Sequence, residues 1–279
     1  MKLLYAVILG IIQGVAEFLP ISSSGHLSLC EHLLGMGDLA AMEENGLFNI
    51  LLHLATLIAV IVFYWTDVRD MLVELWNMVS GRSRRLGLEP DLPMRRQILM
   101  IILATLPCFV IVPFSDYVEG LSAYPVAIGI ALLVTGFLLF FADRMKQGRK
   151  NEKTITVADA LIIGAAQALA TIPGLSRSGT TITAGMFRGL KREYAVKFSF
   201  LISLLSILGA VCLKVLKVLK NGADLSALPV YLVGMVIAGG VGYGCLCLLR
   251  FIVNKGKFGF FSYYCWAVGC IAIVWSVLV

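Results

Sequence analysis

Charge is scarce in this 279-residue sequence. Asp, Glu, Lys and Arg make up 14% of it, where a soluble domain carries about a quarter. With 59% hydrophobic residues and a mean hydropathy of +0.90, the chain has too little polar surface for a water-soluble fold. Several apolar runs reach the roughly 20 residues needed to cross a bilayer, so the sequence reads as a polytopic membrane protein. Histidine is also rare: His26, His32 and His53 are the only three. No CxxC pair occurs among Cys30, Cys108, Cys212, Cys245, Cys247, Cys265 and Cys270. They read as small buried hydrophobes, not as a disulfide or zinc framework. The net charge of +6 does not imply nucleic acid, because the basic residues fall in short loops between apolar runs and so act as topology determinants. The first apolar run, 3–19, resembles a secretory signal in position. Glu17 interrupts it and no small-residue cleavage site follows, so it reads as structure.

Seven apolar blocks follow the first, at about 48–65, 97–114, 124–142, 158–172, 195–213, 229–249 and 258–279. Blocks 3–19 and 158–172 are short, and each runs into a Pro/Gly turn dense in hydroxyls. Irregular backbone at membrane depth is tolerated only where protein or a watery cavity surrounds it. Segments 3–33 and 158–187 are therefore expected to be re-entrant helix–loop–helix hairpins, and the other six blocks full spans. With the N-terminus outside, segments 66–96, 143–157, 188–197 and 250–257 hold 18 of the 23 Lys and Arg on the inner face. The outer segments hold four (Lys2, Lys214, Lys217 and Lys220) beside the acids Glu31, Asp38, Glu43, Glu44, Asp116 and Glu119. Lys214, Lys217 and Lys220 fit this scheme least well. Arg177 is the one basic residue the scheme buries.

The chain repeats itself. A shift of 154 residues lays AVILGIIQGVAEFLPISSSG (6–25) on ALIIGAAQALATIPGLSRSG (160–179) without a gap. Apolar bias alone supplies matched Ala and Gly, but not Gln13 on Gln167, Ser22 on Ser176 and Ser24 on Ser178 in one register. Each half, 1–157 and 158–279, is then one hairpin plus three spans. Three being odd, the halves begin on opposite faces. The expected fold is an all-α membrane protein with an inverted-topology repeat, six transmembrane helices and two re-entrant hairpins, whose broken segments point to a central site.

Glu17 is the sharpest chemical signal, since an ionisable side chain inside an apolar run is costly unless paired or wet. Gln13 lies one helical turn earlier on the same face, and the two together suit a divalent cation or an attacking water. Ser22, Ser23, Ser24 and Gly25 offer hydroxyl and amide donors of the kind an anion needs. His26 adds a group that moves a proton, or attacks phosphorus, near neutral pH. His32 reads as a boundary residue and His53 as helix packing at the edge of a cavity. In the second turn, PGLSRSGTT (173–181), Arg177 lies between Ser176 and Ser178, a fork of donors matched to phosphate oxygens, followed by Gly179 and Thr181. The turns supply complementary parts for phosphoryl chemistry, and a substrate reaching them from the bilayer would be a lipid-linked phosphate.

These residues resemble a known family. QxxxEFLPxSSSGH together with PGxSRSGxT, and the FSFLISL stretch at 198–204, is similar over nearly the whole chain to the bacterial undecaprenyl-diphosphate phosphatases, also called bacitracin-resistance proteins. The resemblance implies hydrolysis of undecaprenyl diphosphate to undecaprenyl phosphate and phosphate. It implies assistance by a divalent cation, Mg2+ or Ca2+, in the bacterial cytoplasmic membrane with the site opening outward. It implies recycling of the lipid carrier for peptidoglycan and resistance to bacitracin. The family's essential Glu, His and Arg fall on Glu17, His26 and Arg177, and its proposed serine nucleophile on Ser23. Its phosphate-contacting hydroxyls fall on Ser22, Ser176, Ser178 and Thr181. The first acidic position of the motif is Gln13 here, so Glu17 alone supplies the metal-site charge. The expected partners are a polyprenyl diphosphate and membrane lipid, with no nucleic acid; a homodimer is left open.

Two alternatives were weighed. The other large family of membrane lipid phosphatases needs a histidine downstream of its SR element, and no histidine follows His53. A lipid-phosphate flippase or an anion transporter fits the inverted repeat but does not require the Glu, His and Arg constellation.

Overall fold

The computed structural model describes residues 2–33, 47–81, 91–221, 227–255 and 258–278. Asp38, Glu43 and Glu44 of the expected outer segment, and Arg82, Arg84, Arg85 and Lys257 of the expected inner ones, lie outside these residues. The described chain is helical, and its one bridge between extended residues pairs Lys150 with Leu190. The helices are α1 (Lys2–Phe18), α2 (Ser23–Leu33), α3 (Leu47–Phe63), α4 (Trp65–Ser80), α5 (Leu92–Thr105), α6 (Pro125–Arg144), α7 (Val157–Leu169), α8 (Arg177–Phe187), α9 (Arg192–Asn221), α10 (Leu228–Asn254) and α11 (Gly259–Leu278). Between α5 and α6 the chain continues in 3-10 turns and the short helix Ser115–Gly120.

Local signals explain the helix starts. The Asp91 side chain accepts from the Met94 amide at 3.0 Å ahead of α5, with proline in the first turn, where the missing N–H costs nothing. Thr156 and Asp159 form a capping box at α7. Ser176 caps α8 by accepting from the Gly179 amide at 3.1 Å.

Among the described residues, five helical stretches are long and apolar enough to cross a membrane: Leu92–Ala123, Pro125–Arg144, Arg192–Leu216, Leu228–Val253 and Gly259–Leu278. A sixth, Leu47–Phe63, turns by 87° into α4. The chain is a multi-pass helical membrane protein, with shorter apolar helices at α1 and α7. The sequence treated 66–96 as a charged loop, but its first part is the helix α4. Trp65, Leu72, Trp76 and Val79 are exposed on it and fall on one face at helical spacing. The cysteine reading is also corrected. Only Cys265 is buried, while Cys212, Cys247 and Cys270 are exposed on their helices, and all seven are free. In a lipid-facing protein an exposed apolar thiol needs no burial.

Helix contacts rest on small residues, as expected where lipid removes the hydrophobic drive between helices. A Cβ on Gly10 would lie 2.6 Å from the Gly234 carbonyl oxygen, and one on Gly14 2.7 Å from that of Ala238, so α1 and α10 touch backbone to backbone. Gly129 and Gly269 play the same part between α6 and α11. The main core gathers Ala16 and Phe18 of α1, Ile21 just after it, Ile182 and Met186 of α8, and Phe198, Leu201 and Ile202 of α9.

Charged residues collect where the expected inner segments meet. Asp159 binds Lys150 at 2.7 Å and Arg188 at 2.8 Å. Arg96 donates to the Ile155 carbonyl at 2.8 Å and Arg192 to that of Asp143 at 3.0 Å. Lys197 pairs with Asp67 at 2.5 Å. Burial opposes the Asp159 charge, but Lys150, Thr156 and Arg188 outweigh it and hold the carboxyl down at about 2. Lys214, one of the misfits of the charge count, pairs with Glu119 at 3.2 Å.

Candidate active site

The chain breaks between α1 and α2 at Pro20, and between α7 and α8 at Pro173 and Gly174. Each break is held in an unusual backbone state. Ser22 has φ 74°, a left-handed conformation costing a non-glycine residue of order 1–3 kcal/mol unless its surroundings fix it. Its Oγ takes the Gly25 amide at 3.3 Å. Gly174 has φ 91°, which glycine adopts without penalty. Thr135, fully buried on α6, accepts from the Ser176 amide at 3.0 Å, and its hydroxyl has the Ala131 carbonyl at 3.0 Å and the Gly174 carbonyl at 3.2 Å as acceptors. A lone threonine in an apolar span was the available signal for it, and sequence reasoning passed it over.

The two turns touch. A Cβ on Gly25 would sit 2.9 Å from Gly174 Cα, and one on Gly179 3.3 Å from Pro20 Cβ. This contact brings Glu17 and Arg177 together as an ion pair between Arg177 Nη2 and Glu17 Oε1. The other carboxylate oxygen accepts from Ser23 Oγ at 2.6 Å and from Gln13 Nε2 at 3.1 Å. Glu17 is 7% exposed and Gln13 not at all. A buried carboxylate with a cation and two further donors repays its desolvation in the one way a low-dielectric site permits.

His53 joins the cluster. Its Nδ1 lies 3.1 Å from Gln13 Nε2 and 3.8 Å from Glu17 Oε2, so it lines the site instead of merely packing α3. The Gln13 amide nitrogen must face the carboxylate, which makes His53 Nδ1 an acceptor and leaves Gln13 Oε1 buried without a partner. His32 instead bonds its own helix, through Nδ1 to the Ser28 carbonyl at 2.7 Å.

His26 does not engage the cluster through its ring nitrogens. Nδ1 lies 2.8 Å from the Ser22 carbonyl oxygen and Nε2 2.8 Å from the Tyr264 hydroxyl. Tyr264, on α11 and some 240 residues away in sequence, carried no sequence signal. Ser24 is exposed, with its Oγ 3.4 Å from that of Ser22. In the second turn, Ser176 and Ser178 hydroxyls lie 3.3 Å apart. Thr181 contacts Ser199 of α9 at 2.5 Å. A small cleft opens beside the ion pair, lined by Glu17, Phe18, Arg177, Ser178, Ser199, Phe200, Ser203 and Ile207. Ser199 and Ser203 come from the FSFLISL stretch, four residues apart on one helix face.

Among the described residues no three His, Cys, Asp or Glu side chains converge as a metal set. Glu17 and Ser23 Oγ, bonded at 2.6 Å, and the partnerless Gln13 Oε1, whose amide bonds Glu17 through Nε2, are nevertheless hard oxygen donors on three neighbouring side chains. That is the protein share Mg2+ or Ca2+ takes when water and phosphate oxygens complete the shell.

Fold and site together define a multi-pass helical membrane protein in which a buried carboxylate pairs with a partly buried guanidinium between two hydroxyl-rich turns. The chain belongs to the bacitracin resistance protein BacA family, whose description matches residues 6–271. It is 39% identical over 279 residues to an undecaprenyl-diphosphatase of Alkaliphilus metalliredigens (strain QYMF), covering 98% of both chains. It is 38% identical over 272 residues to one of Carboxydothermus hydrogenoformans, covering 96% of this chain and 95% of the other. It is 36% identical over 287 residues to one of Methanosphaera stadtmanae, covering 100% and 99%.

Proposed function

We propose that this chain is an undecaprenyl-diphosphate phosphatase. It hydrolyses the carrier diphosphate to undecaprenyl phosphate and phosphate, recycling the carrier for cell-wall synthesis and conferring bacitracin resistance. Family membership and the named relatives support this reading. The observation that carries it is the joining of Glu17, Ser23 and Arg177 across two turns.

The resting ion pair suggests a sequence of events. The terminal phosphate competes for the Arg177 guanidinium, which forks onto its oxygens with help from Ser176, Ser178, Thr181 and the amides of the turns. Glu17, freed of its cation, accepts the Ser23 proton through a hydrogen bond already 2.6 Å long. Ser23 Oγ bonds to the terminal phosphorus, and the bond to the bridging oxygen breaks, releasing undecaprenyl phosphate. Water then attacks the phosphoserine, frees phosphate and restores the hydroxyl. His26 exchanges the proton with the leaving oxygen or with the nucleophile; direct attack by His26 is the rival. A divalent cation held by Glu17, Gln13 Oε1 and Ser23 would neutralise diphosphate charge.

The re-entrant, inverted-repeat reading belongs to the same proposal, with halves 1–157 and 158–279. In its support, α1 packs on α10 while α7 packs on α5, pairings that the repeat exchanges, and α3 packs on α9 and α6 on α11, pairings it maps onto themselves. The Pro20 carbonyl lies 3.8 Å from Cys265 Sγ, near the start of α11, and a Cβ on Gly174 would lie 2.5 Å from the Ile128 carbonyl, near the start of α6. Each turn thus reaches deep between the spans, as a hairpin entering from the far side would. The cytoplasmic membrane, with the site opening outward, is what the family resemblance implies, and the charge count supports the orientation with the N-terminus outside.

The test is phosphate release from a C55 or C15 prenyl diphosphate by purified protein with Mg2+, against Glu17→Ala. Release by the parent protein alone supports the proposal. No release, together with movement of undecaprenyl phosphate across liposomes, replaces it with transport.

A further inference from the structure

We propose that Tyr264 is a positioning residue for His26. Its hydroxyl holds the imidazole in one tautomer and follows the ring through a change of protonation. This rests on the phosphatase reading above.

The hydrogen bonds leave one assignment for the neutral ring. The Ser22 carbonyl 2.8 Å from Nδ1 can only accept, so Nδ1 carries the proton. Neutral imidazole has one N–H, so Nε2 presents its lone pair, and the Tyr264 hydroxyl 2.8 Å away donates to it. The two rings are nearly parallel, 10° apart, with centroids at 5.6 Å. Nε2 has one lone pair and the hydroxyl occupies it, so a proton reaches the ring through Tyr264: the hydroxyl passes its own proton to Nε2, takes another from water on its far side, and then accepts from Nε2–H instead of donating. A backbone amide or an ammonium could serve only the neutral ring, and a carbonyl only the protonated one. A hydroxyl serves both, which suits a base that must later act as an acid.

The backbone is set for the same purpose. Ser22, whose carbonyl fixes Nδ1, is the described non-glycine residue with positive φ, and strain of this kind is retained where geometry matters. The ionised groups of the site are engaged elsewhere: Glu17 and Arg177 with each other, and Glu17 also with Ser23 and Gln13. Tyr264 on α11 is the titratable side chain bonded to the ring. The repeat places Thr180 where His26 stands, so the imidazole and its tyrosine serve one turn only.

The experiment uses Tyr264→Phe in the full-length protein, which keeps the ring and removes the hydroxyl. The expected result is a fall in kcat of about tenfold, the effect of losing one orienting hydrogen bond, with KM changed less than about twofold and the pH profile of kcat displaced. In parallel, 15N NMR of the histidines, with His26 assigned through His26→Gln, should report Nδ1–H in the parent protein and a mixture of tautomers in Tyr264→Phe. A parental kcat and pH profile in Tyr264→Phe, or unaltered His26 15N shifts, overturns the proposal. Absence of phosphate release by the parent protein would sink the functional reading, and the NMR comparison would still decide the role of Tyr264.

Discussion

Glu17 and Arg177 are 160 residues apart in the chain and form an ion pair inside it. Each is the other's counter-charge, so removing one leaves a charge stranded in a partly buried site, at about 3–5 kcal/mol. Glu17→Gln and Arg177→Ala should each lower the melting temperature in detergent and cut phosphate release by about a hundredfold or more. In the double variant the stability losses should not add, because the stranded charge is gone. Additive losses in a double-mutant cycle would mean that the pair is not formed in the membrane.

Ser23 donates to Glu17 Oε2 at 2.6 Å, while Ser24 is exposed to solvent or lipid. The two neighbours should therefore respond differently. Ser23→Ala should abolish turnover, on the order of a thousandfold, and Ser24→Ala should retain activity within about tenfold. Acid quench during turnover, followed by peptide mass spectrometry, should find phosphate on Ser23. Full activity of Ser23→Ala would remove serine from the chemistry in favour of His26 or water.

Gln13 sits where a carboxylate would double the negative charge of the site. Its Oε1 is buried with no partner, an unused acceptor that the proposed cation would take up. Gln13→Glu should raise the apparent affinity for Mg2+ several-fold in activity titrations, since ligand charge tunes such sites. Without cation it should lower stability, through repulsion with Glu17. A Mg2+ dependence identical to the parent's would place the cation away from Gln13.

The fold was legible where physics is local. Apolar runs and breaks at Pro20 and Pro173 located the spans and the two short helices. Ser22 and Ser24 with their repeat partners Ser176 and Ser178 marked the turns, and Gln13 meets Glu17 because four residues make one helical turn. Arg177 was found through the repeat, not through its surroundings. The missed parts depend on long-range packing. Tyr264 is one tyrosine among nine, and only the docking of α11 on α2 gives it His26. His53 looked like a packing residue because nothing in its own helix indicates Gln13. The α4 helix was taken for a loop because its charges outweighed its apolar spacing.

Asp159 supplies the clearest pH test, since it lies at the helix start and not among the reacting groups. Its carboxyl binds Lys150, Arg188 and the Thr156 amide and is held at about 2, below the ordinary 3.8. A group with a lowered folded value stabilises the protein above its unfolded value and loses that contribution as the pH falls through the folded one. Asp159→Asn should therefore cost about 2–3 kcal/mol, the range for hydrogen bonds to a charged group, and the cost should be constant from pH 8 down to about 5. It should shrink as the pH drops below 4 and nearly vanish at and below 2, as the parent carboxyl itself becomes protonated. Thermal melts of both proteins in detergent across this range measure the gap. A gap that widens on acidification would show that Asp159 acts through its cap geometry and not through its charge.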